Sequence, residues 1–272
     1  GRGERKEELE KQAAVYRYVN EFAVSPKMLR RSSIPELDLK FQVAFRNYLS
    51  ELIMHPFILK TLSRLYWTDR YLFDHSLNVA VLSGIIGIAK NFDDQKLSAL
   101  IAGALLFDAG MTLLPQEIVQ NNRMLSPQEK ELIGSHTTEG YNLLKTCADI
   151  SESAARCALE HHERYDGSGY PSGLAGENIH EFAQIVAIAD VYDALISPRP
   201  YRKPYTLNEA TEFLYASGNS LFDIELVRLF LKHIAIYPIS TIVRLNNGQV
   251  GVVVTVRPGL AHRPVVKILR EA

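Results

Sequence analysis

Two adjacent histidines and an acid open the stretch His161-His162-Glu163-Arg164-Tyr165-Asp166-Gly167-Ser168-Gly169-Tyr170-Pro171. Imidazoles ligate transition metals, and glycines let backbone come close to a ligand. The stretch therefore predicts a metal centre beside a loop shaped to grip a phosphorylated molecule. Companion ligands are available elsewhere in helical context. His75 stands near the start of an otherwise apolar helix, Asp108 follows Phe107 at the end of another, and His136 lies between them and the loop. Asp190 ends the apolar run Ile185-Val186-Ala187-Ile188-Ala189. A carboxylate in such a run must be paired, hydrogen-bonded or metal-bound, because burying it alone is costly. Histidines and aspartates together suit Fe, Mn or Zn more than Mg or Ca.

The elements that must position these residues read as helices. Apolar residues recur at helical spacing over 35–54, where Leu37, Phe41, Ala44, Phe45, Tyr48, Leu49 and Leu52 form one stripe. Residues 4–22 are rich in charge and helix formers, and a linker runs from Ser25 to Pro35. This N-terminal part carries no catalytic constellation. It reads either as a dimerisation or signal-relay helix or as a helix packed on the main domain. Further helices are expected over Tyr71–Ala89, Gln95–Ala109, Ser151–His161, Phe182–Leu195, Asn208–Ala216 and Ile224–His233. Ser126-Pro127-Gln128-Glu129 has the form of a helix start, with Ser as cap and Glu at the third position, running into Ile133 and His136, after which a helical pattern resumes through Leu144. The pattern then changes. Thr241–Leu245 and Val250–Val256 are β-branched runs joined by Asn246-Asn247-Gly248-Gln249, a hairpin signal, and Pro264–Leu269 offers a third strand.

Composition excludes some classes. The 272 residues are 47% hydrophobic, enough for a sizeable core, and 30 Lys+Arg balance 31 Asp+Glu. That gives no basic footprint for a nucleic-acid polymer. The longest apolar run, Val79–Ala89, falls short of the ~20 residues that span a bilayer, so no membrane association is expected. Cys147 and Cys157 read as reduced core cysteines of a cytoplasmic protein. His55, His180, His233 and His262 have no partners in the pattern.

From about Tyr71 to Leu269 the chain resembles the HD-GYP domain family, metal-dependent phosphodiesterases acting on cyclic di-GMP in bacterial signalling. The likeness rests on His161–Pro171, on His75-Ser76-Leu77-Asn78-Val79, on His136…Gly140, and on Asp190-Val191-Tyr192-Asp193-Ala194-Leu195 followed by Arg199-Pro200-Tyr201-Arg202. It implies a mainly α fold, an HD-type helical bundle. Residues 1–60 would form an N-terminal helical extension, 61–236 the bundle, and 237–272 a small C-terminal β element packed on it. The resemblance implies one or two transition-metal ions, Fe or Mn rather than Zn. His75, Asp108 and Asp190 would hold one; a bridging Asp108 with His136, His161 and His162 would hold the other. Gly169 and Tyr170 would lie by the substrate, and Arg199 and Arg202 match phosphate-holding positions. The implied reaction is in-line attack of a metal-bridging hydroxide on phosphorus. Glu163 and Asp166 are either orienters of the histidines or solvated charges, with orientation favoured for Glu163. Tyr71 stands where some relatives carry a glutamate for a third metal, so three ions are not expected. Implied partners are cyclic di-GMP, a diguanylate-cyclase-type protein and a second copy of the chain. An upstream sensory domain is expected in the full polypeptide.

Two departures fall in the family's naming motif. Phe107-Asp108 stands for His-Asp, and Met111 stands for the lysine of Asp-x-Gly-Lys. Phenylalanine donates no lone pair, so the first metal site keeps three of four protein ligands. Losing even an outer partner of a metal costs ~10–100-fold in affinity. Methionine brings no charge to a developing oxyanion, and removing one such donor costs ~10²–10³ in rate. The sequence therefore favours a binding or regulatory protein with weak or absent turnover over a working phosphodiesterase.

Overall fold

The computed structural model describes residues 2–25, 35–120, 123–198, 203–234, 237, 240–257 and 263–269. Helices α1 (Arg2–Ala23), α2 (Pro35–Met54) and α3 (Pro56–Thr68) precede the long α4 (Arg70–Ala89) and α5 (Asp94–Leu106). A 3₁₀ turn (Ala109–Leu113) and the short α6 (Gln116–Val119) lead to α7 (Pro127–Gly134), α8 (His136–Lys145) and α9 (Glu152–Glu160). Helices α10 (Glu181–Ile196), α11 (Leu207–Ala216) and α12 (Ile224–His233) complete a mainly helical fold.

Local chemistry sets many of these limits. Asp69 caps α4 by accepting from the Tyr71 and Leu72 amides, and Asp93 caps α5 through Lys96. The expected Ser126 start is a full capping box with Glu129. Two boundaries differ from the sequence reading. The α5 helix stops at Leu106, so Phe107 and Asp108 sit on the turn beyond it. The helix expected to run into His136 ends at Gly134, and the pattern expected to resume through Leu144 is α8, of which His136 is the first residue.

Helices α4 and α5 pair at the centre and α9 and α10 pack beside them. Leu77, Val79, Ile85, Ile101, Leu105, Ala155 and Ile188 are all essentially inaccessible. Val15 and Val19 of α1 and Phe41, Phe45 and Leu49 of α2 join this same core. Both α4 and the stretch Asp94–Leu113 are, by length and composition, apolar enough to cross a membrane, contrary to the expectation drawn from Val79–Ala89 alone. They are 72% and 67% buried in the fold, so their apolar surface is what the core is built from.

At the C-terminal end β1 (Ile242–Arg244), β2 (Val250–Thr255) and β3 (Val265–Ile268) form an antiparallel sheet in the order β1-β2-β3. The Asn-Gly hairpin and the third strand are where the sequence puts them. Val253 and Val256 make a small separate cluster with Leu207, Tyr237, Val243 and Val266. The linker at 26–34, Arg199, Arg202 and His262 lie outside the described residues.

Candidate metal centre

Six side chains singled out by type converge from five elements. The α4 helix supplies His75, the turn after α5 supplies Asp108, the start of α8 supplies His136, the end of α9 supplies His161 and His162, and α10 supplies Asp190. Close approach of the turn to α8 depends on Gly110. A Cβ there would lie 2.0 Å from the His136 carbonyl oxygen and 2.6 Å from the Gly140 amide nitrogen. The glycine thus brings Asp108 against the His136 turn, where Asp108 Oδ1 stands 3.3 Å from His136 Nε2 and 3.7 Å from His161 Nε2.

The three histidines form one cluster. Ligand atoms of His136, His161 and His162 all lie within 4.8 Å of one another. Backbone carbonyls aim two of the rings. His136 Nδ1 is 2.6 Å from the Ile133 oxygen, and His161 Nδ1 is 2.9 and 3.0 Å from the Cys157 and Ala158 oxygens. Each Nδ1 must then carry a proton, so Nε2 is the ring atom that faces Asp108. Burial pushes the His161 pKa well below its ordinary value, helped by the neighbouring imidazoles, and brings His162 down to about 4. Burial acts the same way on His136, but the Asp108 carboxylate outweighs it and raises that pKa. His161 and His162 are held neutral, and His136 becomes a ligand by giving up its Nε2 proton; three imidazoles beside a carboxylate are a transition-metal donor set, so His136, His161, His162 and Asp108 fit one ion.

His75 lies in a different setting. Its Nε2 is 2.8 Å from Asp190 Oδ1 and its Nδ1 is 2.8 Å from Asp193 Oδ2. Burial disfavours its charge, yet the two carboxylates prevail and its pKa is raised well above normal. The same contact holds Asp190 well below the usual carboxylate range in spite of burial. Between the halves stands Phe107, 1% exposed. Its ring meets His75 edge-on at 5.7 Å and His161 at 4.9 Å. Hydrocarbon with no ligand atom thus separates the His75–Asp190 pair from the histidine cluster.

The glycine loop closes one side. Gly169 admits no side chain, since a Cβ would sit 2.4 Å from the Arg164 nitrogen and 2.5 Å from both the Glu163 Cα and the His162 oxygen. Tyr170, 40% exposed, is thereby stacked on His162. Met111 is half-buried in the turn after Asp108. Tyr71 stacks on His75 at 5.7 Å with planes 9° apart, so an aromatic ring fills that side of the imidazole.

Some roles differ from those read in the sequence. Glu163 does not orient the histidines: its two oxygens accept from the Ser172 and Leu174 amides, 2.7 and 2.9 Å away, and so tie down the loop after Pro171. Asp166 is exposed and accepts from the Ser168 amide. His180 caps α10, and His233 packs in the core with Nδ1 on the Leu229 oxygen. Two participants were missed. Asp193 grips His75 from one helical turn beyond Asp190, a spacing visible in sequence as the repeated Asp of Asp-Val-Tyr-Asp. Arg164 is half-buried, donates to the His161 and Glu163 carbonyl oxygens, and has its pKa lowered by burial.

Comparison with known proteins fixes the class. The HD domain profile matches residues 51–226, and a KOW domain associated with the HD domain matches 242–272. The chain belongs to the HD domain family. It is 37% identical over 226 residues to a cyclic di-GMP phosphodiesterase of Pseudomonas aeruginosa, covering 82% of this chain and 54% of that protein. It is 34% identical over 194 residues to a cyclic di-GMP phosphodiesterase of Thermotoga maritima, covering 71% of this chain and 51% of the relative. The chain thus spans about half the length of these curated relatives. The solved structure of Bd1817, an HDG"Y"P protein from Bdellovibrio bacteriovorus, superposes with a TM-score of 0.51 at 17% identity, over 80% of this chain and 76% of that one. That likeness concerns the fold.

Proposed function

We propose that this chain binds cyclic di-GMP at a one-ion HD centre and hydrolyses it weakly or not at all, so that its role is regulatory. The curated relatives are cyclic di-GMP phosphodiesterases, which supports the ligand class. The observation that carries the loss of turnover is Phe107, whose buried ring separates His75 from His161. His136, His161, His162 and Asp108 would hold the ion, which supplies Lewis-acid stabilisation of phosphoryl oxygens when bound. Tyr170 offers its exposed edge beside His162, and Arg164, hydrogen-bonded to the His161 carbonyl, would add a cation on the same side for a phosphate. His75 is held by two carboxylates and serves to fix Asp190. Met111 gives no charge to a phosphoryl oxygen.

The test compares the wild type with Phe107→His/Met111→Lys. Binding is followed by calorimetry with Mn, and linear product by chromatography with Fe, Mn or chelator. The expected result is wild-type binding with turnover at the chelator level, and turnover gained in the double variant. Robust wild-type hydrolysis would instead make the chain a working phosphodiesterase. Absence of both metal and nucleotide binding would reduce the centre to a scaffold.

A further inference from the structure

His55, which has no partner in the sequence pattern, is brought next to a thiol and a carboxylate from a distant corner of the fold. Ligand atoms of His55, Cys147 and Asp149 all lie within 4.8 Å of one another. His55 Nε2 is 3.1 Å from Asp149 Oδ2, while its Nδ1 is buried and without a hydrogen-bond partner among the described residues. We infer that His55, Cys147 and Asp149 form a second metal site, of zinc type, which clips the α2–α3 corner to the α8–α9 corner.

The donor chemistry differs from that of the HD centre. One thiolate, one imidazole and one carboxylate suit Zn²⁺ or its analogue Co²⁺, and the thiolate and carboxylate charges are matched by a divalent ion. Both corners are set by backbone before any ion arrives. The His55 amide donates to the Leu52 oxygen and the Leu59 amide to the His55 oxygen. The Cys147 amide donates to the Leu144 oxygen and the Ile150 amide to the Cys147 oxygen. Such pre-organised carriers lower the ordering cost of ligation. His55 and Asp149 also line a cleft of about 380 Å³ together with Glu51, Gln95 and Ser98. Water therefore has access as a fourth ligand. His55 and Cys147 are roughly 90 residues apart in sequence, so the clip closes a long loop and constrains the unfolded chain. Cys157, the other cysteine, is fully buried with its thiol pKa pushed up by burial, so it does not compete as a thiolate.

Cobalt distinguishes this site from the HD centre, which has no sulfur donor. Metal-free full chain is titrated with Co²⁺ while the near-ultraviolet thiolate-to-cobalt charge-transfer band is recorded. A saturable one-to-one band is expected in the wild type and in His161→Ala/His162→Ala. It should vanish in Cys147→Ser and weaken by at least ~10–100-fold in affinity in His55→Ala, a direct ligand costing no less than an outer one, with circular dichroism confirming that both variants fold. In the wild type itself, Zn²⁺ should protect Cys147 from alkylation, mapped by mass spectrometry. A missing band, a band that survives Cys147→Ser, or alkylation unaffected by Zn²⁺ would each overturn the site. None of these readouts depends on cyclic di-GMP, so the outcome is independent of the proposed function.

Discussion

The ring of Tyr170 lies on the face of His162, with centroids 4.8 Å apart and planes 24° from parallel. The stack leaves one edge of the tyrosine open while its other side fixes the imidazole. Burial lifts its hydroxyl pKa to about 12, so the ring stays neutral throughout the physiological range. If guanine stacks there, Tyr170→Ala should weaken cyclic di-GMP binding by ~1–3 kcal/mol, and Tyr170→Phe should not. Titration calorimetry of the two variants decides it; equal affinities would remove the ring from the binding surface.

Glu163 predicts a loop defect rather than a metal defect. Its carboxylate accepts two backbone amides from inside the fold. In Glu163→Gln one acceptor oxygen becomes a donor facing a donor, at a cost of ~1–3 kcal/mol. Hydrogen exchange should rise over residues 172–174 while metal stoichiometry stays at the wild-type value. An unchanged exchange pattern would contradict the role assigned to this acid.

Gly110 should tolerate no substitution. A methyl group there meets backbone atoms of α8, which cannot swing aside as a side-chain tip would. Ordinary overpacking costs about 1–3 kcal/mol, and Gly110→Ala is expected at or above the upper end. The same displacement separates Asp108 from His136, so metal affinity and melting temperature should fall together. Retained metal affinity in a folded Gly110→Ala protein would show that this contact does not set the ligand geometry.

Acid should destabilise the metal-free protein through its buried neutral histidines. Burial lowers the His180 pKa from 6.5, and that ring accepts the Phe182 amide at the start of α10. The unfolded chain then binds the extra proton first, so this contribution is present above pH ~6.5 and is lost as the pH falls through the folded-state value. His75, with its raised pKa, has the opposite sign and loses its contribution as the pH rises through its folded-state value. His180→Asn keeps a cap but cannot titrate. Its denaturation midpoint should therefore decline less than the wild type between pH 7.5 and 5.5; parallel declines would refute the assignment.

The candidate site was legible where chemistry is contiguous. His161 to Pro171 carry two candidate ligands and the glycines in one run, and the capped, periodic helices around them announce their own limits. What stayed hidden depends on approach between distant segments. Asp193 meets His75 across more than a hundred residues, and His55 meets Cys147 and Asp149 through two corners with no shared pattern. Phe107 could be read as a missing ligand; that it wedges between His75 and His161 follows only from packing. Glu163 was misjudged because an acid beside histidines looks like their orienter, whereas the loop amides it serves lie nine and eleven residues further on.

Val15, Val19, Ala23, Phe41, Phe45, Leu49 and Ile53 sit in the same apolar cluster as Leu105 and Ile188. Trimming the gene to begin at residue 61 would therefore strip one wall from a shared interior. The shortened product would show a greasy flank to solvent and be recovered chiefly in inclusion bodies. The same continuity makes α1 and α2 a wall of the bundle that carries His75 rather than a slack appendage to it.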